Sequence, residues 1–511
     1  MGKNKQLAIN MVASYLSMGV SLGITFFLTP YIVESLGREA YGFIALTSNI
    51  IGYTSLATIA LNAMAGRFIM LKYIEGDKKG ANEYFSSVFF SNILLGCIII
   101  LALIITVLYL EFILDIPQKL IFDVKLLFVL MSISSVTGLI TGTWGVATFI
   151  KNRLELSKTR GIVGSILKAT IVICLFSIFP PHIWYMGISG LVSTLYVAST
   201  NWAFLHKLTP DLKISLSFFN KTKIWELITS GMWNVLTKLA GILGHGLDLL
   251  LANVFIGAFA MGTFSITKNI PFLVLSINGA AAGVFAPILT QLYAEKKKSE
   301  LINELNKTIR ILGFISCISI TGVFVLGKEF YSLWLPSQDA ALLQNLTVVG
   351  MAALPTTLPN EALWNIFTIT NKLKGSSIFT FCDNLTVFMI VILSMYVVES
   401  PITKLFILAG TRAALGNIRG IIFLPIYGAH CLKVKKTTFY PQIFKSLLCI
   451  SICCLICYLL KQTVSIKSWF EFLVAAFIVI IICISVCYIV VLKETDKAFI
   501  KEHILRRIKK A

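Results

Sequence analysis

Apolar runs of about twenty residues recur along the whole of this chain, and each is long enough to cross roughly 30 Å of hydrocarbon as a helix. The runs are continuous rather than alternating, which excludes a membrane β-barrel. Hydrocarbon tolerates no other spanning element, because every backbone polar group must be paired within the membrane. Only 13% of the 511 residues are charged and 57% are hydrophobic, against roughly 25% charged in a soluble domain. The fold class is therefore all-α integral membrane. Fourteen spans are predicted, near 10–33, 40–66, 84–110, 124–149, 161–180, 183–204, 225–252, 258–292, 308–326, 341–370, 375–398, 404–427, 440–460 and 469–492. The longest outer loops, Glu111 to Asp123 and Gly327 to Ala340, leave no room for an extramembrane domain.

The basic residues orient these spans. Of the 44 Lys and Arg, 31 fall on one side of the alternating loops and 7 on the other, and the remaining 6 lie within spans. Cytoplasmic loops are the basic ones, so both termini are expected in the cytoplasm. This asymmetry explains the net charge of +20 without a nucleic-acid partner. The C-terminal run Arg506, Arg507, Lys509 and Lys510 is read as contact with anionic lipid headgroups. Lys3 and Lys5 precede an apolar stretch too long for a cleavable signal and lacking a small-residue cleavage site, so the first helix is expected to stay. The eleven cysteines lie in spans or on the cytoplasmic side, where disulfides are not expected. Cys449, Cys453, Cys454 and Cys457 follow helical spacing, but among Ile and Leu with no His nearby they are read as small hydrophobes, and no metal is expected.

The chain repeats itself. "LGREAYGFIALTSNI" from Leu36 aligns with "IGAFAMGTFSITKNI" from Ile256 at an offset of 220, matching Gly37/Gly257, Ala40/Ala260, Gly42/Gly262, Thr47/Thr267, Asn49/Asn269 and Ile50/Ile270. The register continues through Ala60/Ala280, Tyr73/Tyr293 and Glu75/Glu295 into a Lys-rich loop in both copies. Span 2 thus corresponds to span 8, and a displacement of six spans preserves membrane orientation. Two six-helix lobes around a central cavity follow: 1–207 with spans 1–6 and 208–430 with spans 7–12. Residues 431–511 add spans 13 and 14 and a basic tail.

Polar stripes mark the faces such a cavity would use. On span 7, Asn234, Lys238, Gly241, His245 and Asp248 share one helical face, and Asn10, Ser14, Ser17 and Ser21 repeat the spacing on span 1. An ionisable group facing lipid is costly, so the stripe should face water or protein; hydrogen bonding between helices is the rival reading. Lys268 lies deep in span 8, and Arg412 and Arg419 share a face of span 12, about 10 Å apart. Glu361, Asp383 and Asp248 are the deep acids and the candidate ion-coupling groups, with pairing to Lys or Arg as the rival. Lys168 and Lys445 are near enough to the cytoplasmic ends to snorkel. Six bases against three acids suit an anionic solute. Pro271, Pro287, Pro355 and Pro359 should kink spans 8 and 10. Walker loops, metal clusters and nucleophile elbows are not seen, so no catalytic residue is assigned.

The stretch from Asn10 through "TPYIVESLGREAYGFIALTSNI" to "ALNAMAGRF", with its Gly-Arg-x-x-Tyr-Gly turn after span 1, resembles the polysaccharide transporter family of the MOP flippase superfamily, the Wzx-type exporters. The resemblance implies a flippase, not an enzyme, that carries undecaprenyl-diphosphate-linked oligosaccharide units across the bacterial cytoplasmic membrane. It implies membrane lipids and polysaccharide polymerase machinery as further partners, and no cofactor. Alternating access driven by a proton or sodium gradient is implied at the same level. A multidrug or lipid II exporter on the same fold is the alternative. No motif transfers a coupling site residue by residue. Four bases, Lys238, Lys268, Arg412 and Arg419, are expected to meet a diphosphate, because guanidinium forks and Lys charges match phosphate oxygens.

Overall fold

A computed structural model of the chain describes residues 3–462 and 464–490, apart from a few side chains that include Trp233, His245 and Pro287. The basic C-terminal run at 506–510 lies outside the described residues. All regular elements described are helical. Among the described residues, twelve helices are long and apolar enough to cross a membrane, or thirteen when Arg38–Tyr53 and Ser55–Ile74, bent by 60°, count as one span. The remaining predicted span, the sixth, is the helix Tyr185–Leu208, which is not among the twelve. It is rich in Gly, Ser and Thr because it packs closely on its neighbours. Ser193 donates to the Gly164 carbonyl at 2.9 Å, and Thr194 and Ser134 share a hydrogen bond of 2.8 Å. Small polar residues at such interfaces let helix backbones approach.

The chain divides into two compact units, Met1–Ser265 with Thr380–Leu385, and Ile266–Phe379 with Thr386–Ala511. This grouping differs from the repeat-based boundary at 207 and 208. Span 7 groups with the first unit, where Lys221–Gly241 packs on Ser55–Ile74 and Gly231 sits against the backbone of Ala60. Sequence repeats record ancestry along the chain, whereas compact units record which faces are buried together.

The backbone carries the repeat independently of side-chain identity. Seven described residues have positive φ, and six of them pair across the two halves. Gly37 (85°) matches Gly257 (124°), Gly76 (79°) matches Lys296 (58°), and Asn152 (51°) matches Asn371 (54°). These are the places where a helix ends and the chain reverses, and left-handed backbone there favours Gly or Asn. Short 3₁₀ turns also recur, at Thr143–Gly145 in span 4 and Pro359–Ala362 in span 10.

Several expectations shift in detail. Span 9 is one helix from Lys298 to Trp334, so most of the outer loop expected from Gly327 is helix. Its N-terminal extension buries Leu301, Leu305, Ile309 and Leu312, an amphipathic stripe that propagates the helix. Span 10 breaks as its prolines demand, into Ala340–Met351, Leu354–Thr357, Pro359–Ala362 and Leu363–Ile369. Span 8 breaks at Lys268, yet Asn269–Ala294 continues through Pro287 unbroken. Span 2 breaks at Thr54 without any proline. There the Thr54 and Ser55 hydroxyls donate to the carbonyls of Ile51 and Gly52, both at 2.6 Å, competing with the helical ladder.

Candidate functional site

Two segments of π-helix occur among the described residues, Ile242–Gly246 in span 7 and Arg419–Phe423 in span 12. Such turns are rare and concentrate at functional sites. Each coincides with deep ionisable residues singled out from the sequence.

In the first unit the span 7 turn is built from Gly244, His245 and Gly246. Its glycines permit close approach: a Cβ on Gly246 would lie 3.0 Å from the Tyr53 ring, and one on Gly244 would overlap Asn384 of span 11. The widened turn leaves the Gly246 carbonyl open to outside donors. The Tyr53 hydroxyl donates to it at 2.6 Å and the Asn49 amide at 3.4 Å, both from the helix just before the span 2 break. Asp248 follows the turn, 4% exposed, within electrostatic reach of Tyr53. Asp383 immediately precedes Asn384, so the second deep acid of this unit arrives on the same segment. Lys238 and Asn234 lie one and two turns earlier on span 7, both half-buried. The His245 side chain lies outside the described residues.

The span 1 stripe has a different setting. Asn10 is buried and clasps the turn after span 4. Its amide donates to the Asn152 carbonyl and side chain at 3.3 and 3.1 Å, and its oxygen accepts from the Glu155 backbone at 3.1 Å. Ser14 donates back to the Asn10 carbonyl at 2.8 Å, and Ser17 faces Gly161 of span 5.

In the second unit the turn at Arg419 meets the broken span 10. Gly420 presses on Thr356, the Asn360 amide donates to the Gly420 carbonyl at 3.0 Å, and Thr356 donates to the Asn417 side chain at 2.9 Å. Asn417 in turn donates to the Ala352 carbonyl at 3.1 Å. Each bond satisfies a backbone or amide group freed by a distorted helix. Glu361 stands in the 3₁₀ segment within electrostatic reach of Arg419. Arg412 lies seven residues before Arg419 on regular helix, so the two keep the same face. Lys268 caps the lower half of broken span 8 and is half-buried.

Sequence reasoning missed Thr356 and Asn360, whose signal was polar residues beside Pro355 and Pro359, and Asn417, a polar residue two before Arg419. The predicted bounds also left Arg160 just outside span 5. The helix begins at Leu154, and Arg160 is buried, bonded to Asn201 and stacked 4.7 Å over Phe204.

A two-unit helical membrane chain with ionisable groups at broken and widened helices has the build of a transporter. Its fold is that of MOP-superfamily transporters. It matches the lipid II flippase MurJ in an inward closed conformation at a TM-score of 0.70 and 15% identity, over 94% of this chain and 98% of that one. It matches an inward-facing multidrug MATE transporter at 0.62 and 15%, over 84% and 98%. Residues 36–340 match the model of the family described as polysaccharide biosynthesis protein, and the chain belongs to that family. Among its relatives, the uncharacterized membrane protein EpsK of Bacillus subtilis is 26% identical over 95% of this chain and 94% of its own length. The probable flippase AglR of Haloferax volcanii is 22% identical over 69% and 71%.

Proposed function

We propose that the protein is a flippase for lipid-linked oligosaccharides in surface polysaccharide biosynthesis. It moves undecaprenyl-diphosphate-linked units across the bacterial cytoplasmic membrane by alternating access, with both termini in the cytoplasm, and catalyses no chemical conversion. The reading is carried by one coincidence: a polysaccharide biosynthesis family member has a transporter fold in which one widened helix turn begins at Arg419 and the other ends two residues before Asp248. A relative named as a probable flippase and a fold neighbour named as a lipid II flippase support a flippase reading.

Lys238, Lys268, Arg412 and Arg419 are the bases that would meet the diphosphate. Affinity must stay modest, since cargo has to leave on the far side. Asp248, Asp383 and Glu361 are the ion-coupling candidates, because carboxyls held away from water can take up a proton or hold a sodium ion. The decisive experiment expresses the chain in a strain lacking its own flippase and measures surface polysaccharide, normalised to membrane protein. Restored polysaccharide is expected. Accumulated lipid-linked units with no restoration in a strain making the native glycan would sink the reading. Restored drug resistance instead would favour the exporter alternative.

A further inference from the structure

Seven of the eleven cysteines lie on spans 9, 13 and 14. On span 13, Cys449, Cys453 and Cys457 recur every fourth residue and are buried; on span 14, Cys483 and Cys487 do the same. Cys317 of span 9 faces both helices and lies in contact with the thiols of Cys449, Cys453, Cys483 and Cys487. The Cys317 and Cys449 sulfurs are 3.9 Å apart, and those of Cys449 and Cys487 are 3.0 Å apart. Two sets of three sulfurs, Cys317/Cys453/Cys483 and Cys317/Cys449/Cys487, each lie within 4.8 Å of one another and share Cys317. Around them are Phe314, Ile318, Ile482 and Val486.

Close packing at a three-helix seam requires small side chains, and Ala, Gly or Ser would serve it equally. It does not require five sulfurs from three helices to converge. Nor is either set mixed with a carboxylate or imidazole, so the cluster offers soft donors alone. Soft thiol sulfur selects zinc-class ions and monovalent copper over magnesium, calcium or manganese. A tetrahedral ion about 2.3 Å from each sulfur spaces its ligand sulfurs about 3.8 Å apart, close to the Cys317–Cys449 separation.

We propose that this cluster binds one soft d¹⁰ metal ion at Cys317 and one of its two sulfur pairs, Cys453/Cys483 or Cys449/Cys487, which pins spans 13 and 14 to span 9. The low dielectric of the surroundings favours a neutral assembly. A divalent ion therefore binds with loss of two thiol protons, leaving two metal–thiolate bonds while the third sulfur coordinates as a neutral thiol. A monovalent ion displaces one proton. The proposal is independent of the flippase reading, because the site lies wholly on helices 9, 13 and 14 and its readout is spectroscopic.

The test uses the full chain, reduced and purified in detergent under anaerobic conditions. Titration with Cd²⁺ should give a sulfur-to-cadmium charge-transfer band saturating at one ion per chain, with about two protons released in weak buffer. Titration with Cu⁺ should saturate at the same stoichiometry with one proton, and metal analysis of protein purified without added metal identifies which ion is native. Cys317→Ser should abolish the band. At least one of Cys453→Ser and Cys487→Ser should alter it, and a triple Ser variant at the exposed Cys97, Cys174 and Cys382 should retain it. Should Cys317→Ser not fold, the Cys453→Ser and Cys487→Ser pair carries the same test. No band in the reduced wild type, a band unchanged in both of those variants, or a Cys449–Cys487 disulfide that persists under reductant would each overturn the proposal.

Discussion

Arg412 and Arg419 share a helix face, seven residues apart. Glu361 stands within electrostatic reach of Arg419, across the contact between broken span 10 and the widened turn of span 12. If Arg419 serves that contact while Arg412 serves cargo, their variants should separate. Arg412→Ala should lower polysaccharide export at least tenfold with little change in melting temperature, and Arg412→Lys should recover part of it. Arg419→Ala and Glu361→Gln should be non-additive in export and stability, since contacting residues couple. Strict additivity of that pair would show that the two side chains act separately. A second residue-scale prediction comes from the repeat. Lys296 holds the left-handed backbone that Gly76 holds in the first half, and it is exposed. Replacing it with Gly should raise stability by about 1 kcal/mol, the strain of a side chain in that conformation. Thermal unfolding in detergent measures it, and an unchanged or lower melting temperature would count against the strain.

Elements meet where the sequence supplies glycine. Gly42 and Gly262, partners in the repeat, cross within the first unit. A Cβ on Gly42 would stand 2.8 Å from the Gly262 Cα, and one on Gly262 would overlap the Arg38 carbonyl. Arg38 lies over the Phe259 ring at 3.4 Å beside this crossing. Backbone cannot yield as a flexible side chain can, so Gly42→Val should force the two helices apart. Export should fall at least tenfold, whereas Gly19→Ala, with nothing within 4 Å, should be silent. Wild-type export by Gly42→Val would mean that the crossing plays no part in the cycle. The polar lock between spans 10 and 12 makes a smaller prediction. Asn360→Ala leaves the Gly420 carbonyl without its 3.0 Å donor and should cost about 1 kcal/mol, typical of a polar bond between membrane helices. These glycines were legible as repeat matches, but not as a crossing, because their proximity depends on how two distant helices are tilted. The break at Thr54 was likewise hidden: its cause is hydroxyls bonding back to the preceding turn, a signal far weaker than proline.

At the scale of the whole molecule the basic asymmetry of 31 to 7 predicts topology. Single cysteines in a Cys-free background should react with an impermeant thiol reagent from outside at Glu111–Asp123 and stay protected at Lys296–Lys298. Reaction of both segments from one side would defeat the orientation. The sequence by itself determined that this chain spans a membrane many times, where its helices run, and that its halves repeat. Those properties follow from local hydrophobicity and from residue identities at a fixed offset, which need no knowledge of contacts. It also marked Lys238, Lys268, Arg412, Arg419, Asp248, Glu361 and Asp383 as deep, since depth is read by counting along a span. Only the tertiary structure decided what those residues meet. It set Asn10 in a clasp on Asn152, brought Glu361 to Arg419, widened two helices into π turns, and gathered thiols from three helices around Cys317. Each depends on the rotation and tilt of helices separated by up to hundreds of residues. In hydrocarbon, apolar faces are interchangeable, so the partners are chosen by small-residue fit and by the need of every freed polar group for a mate.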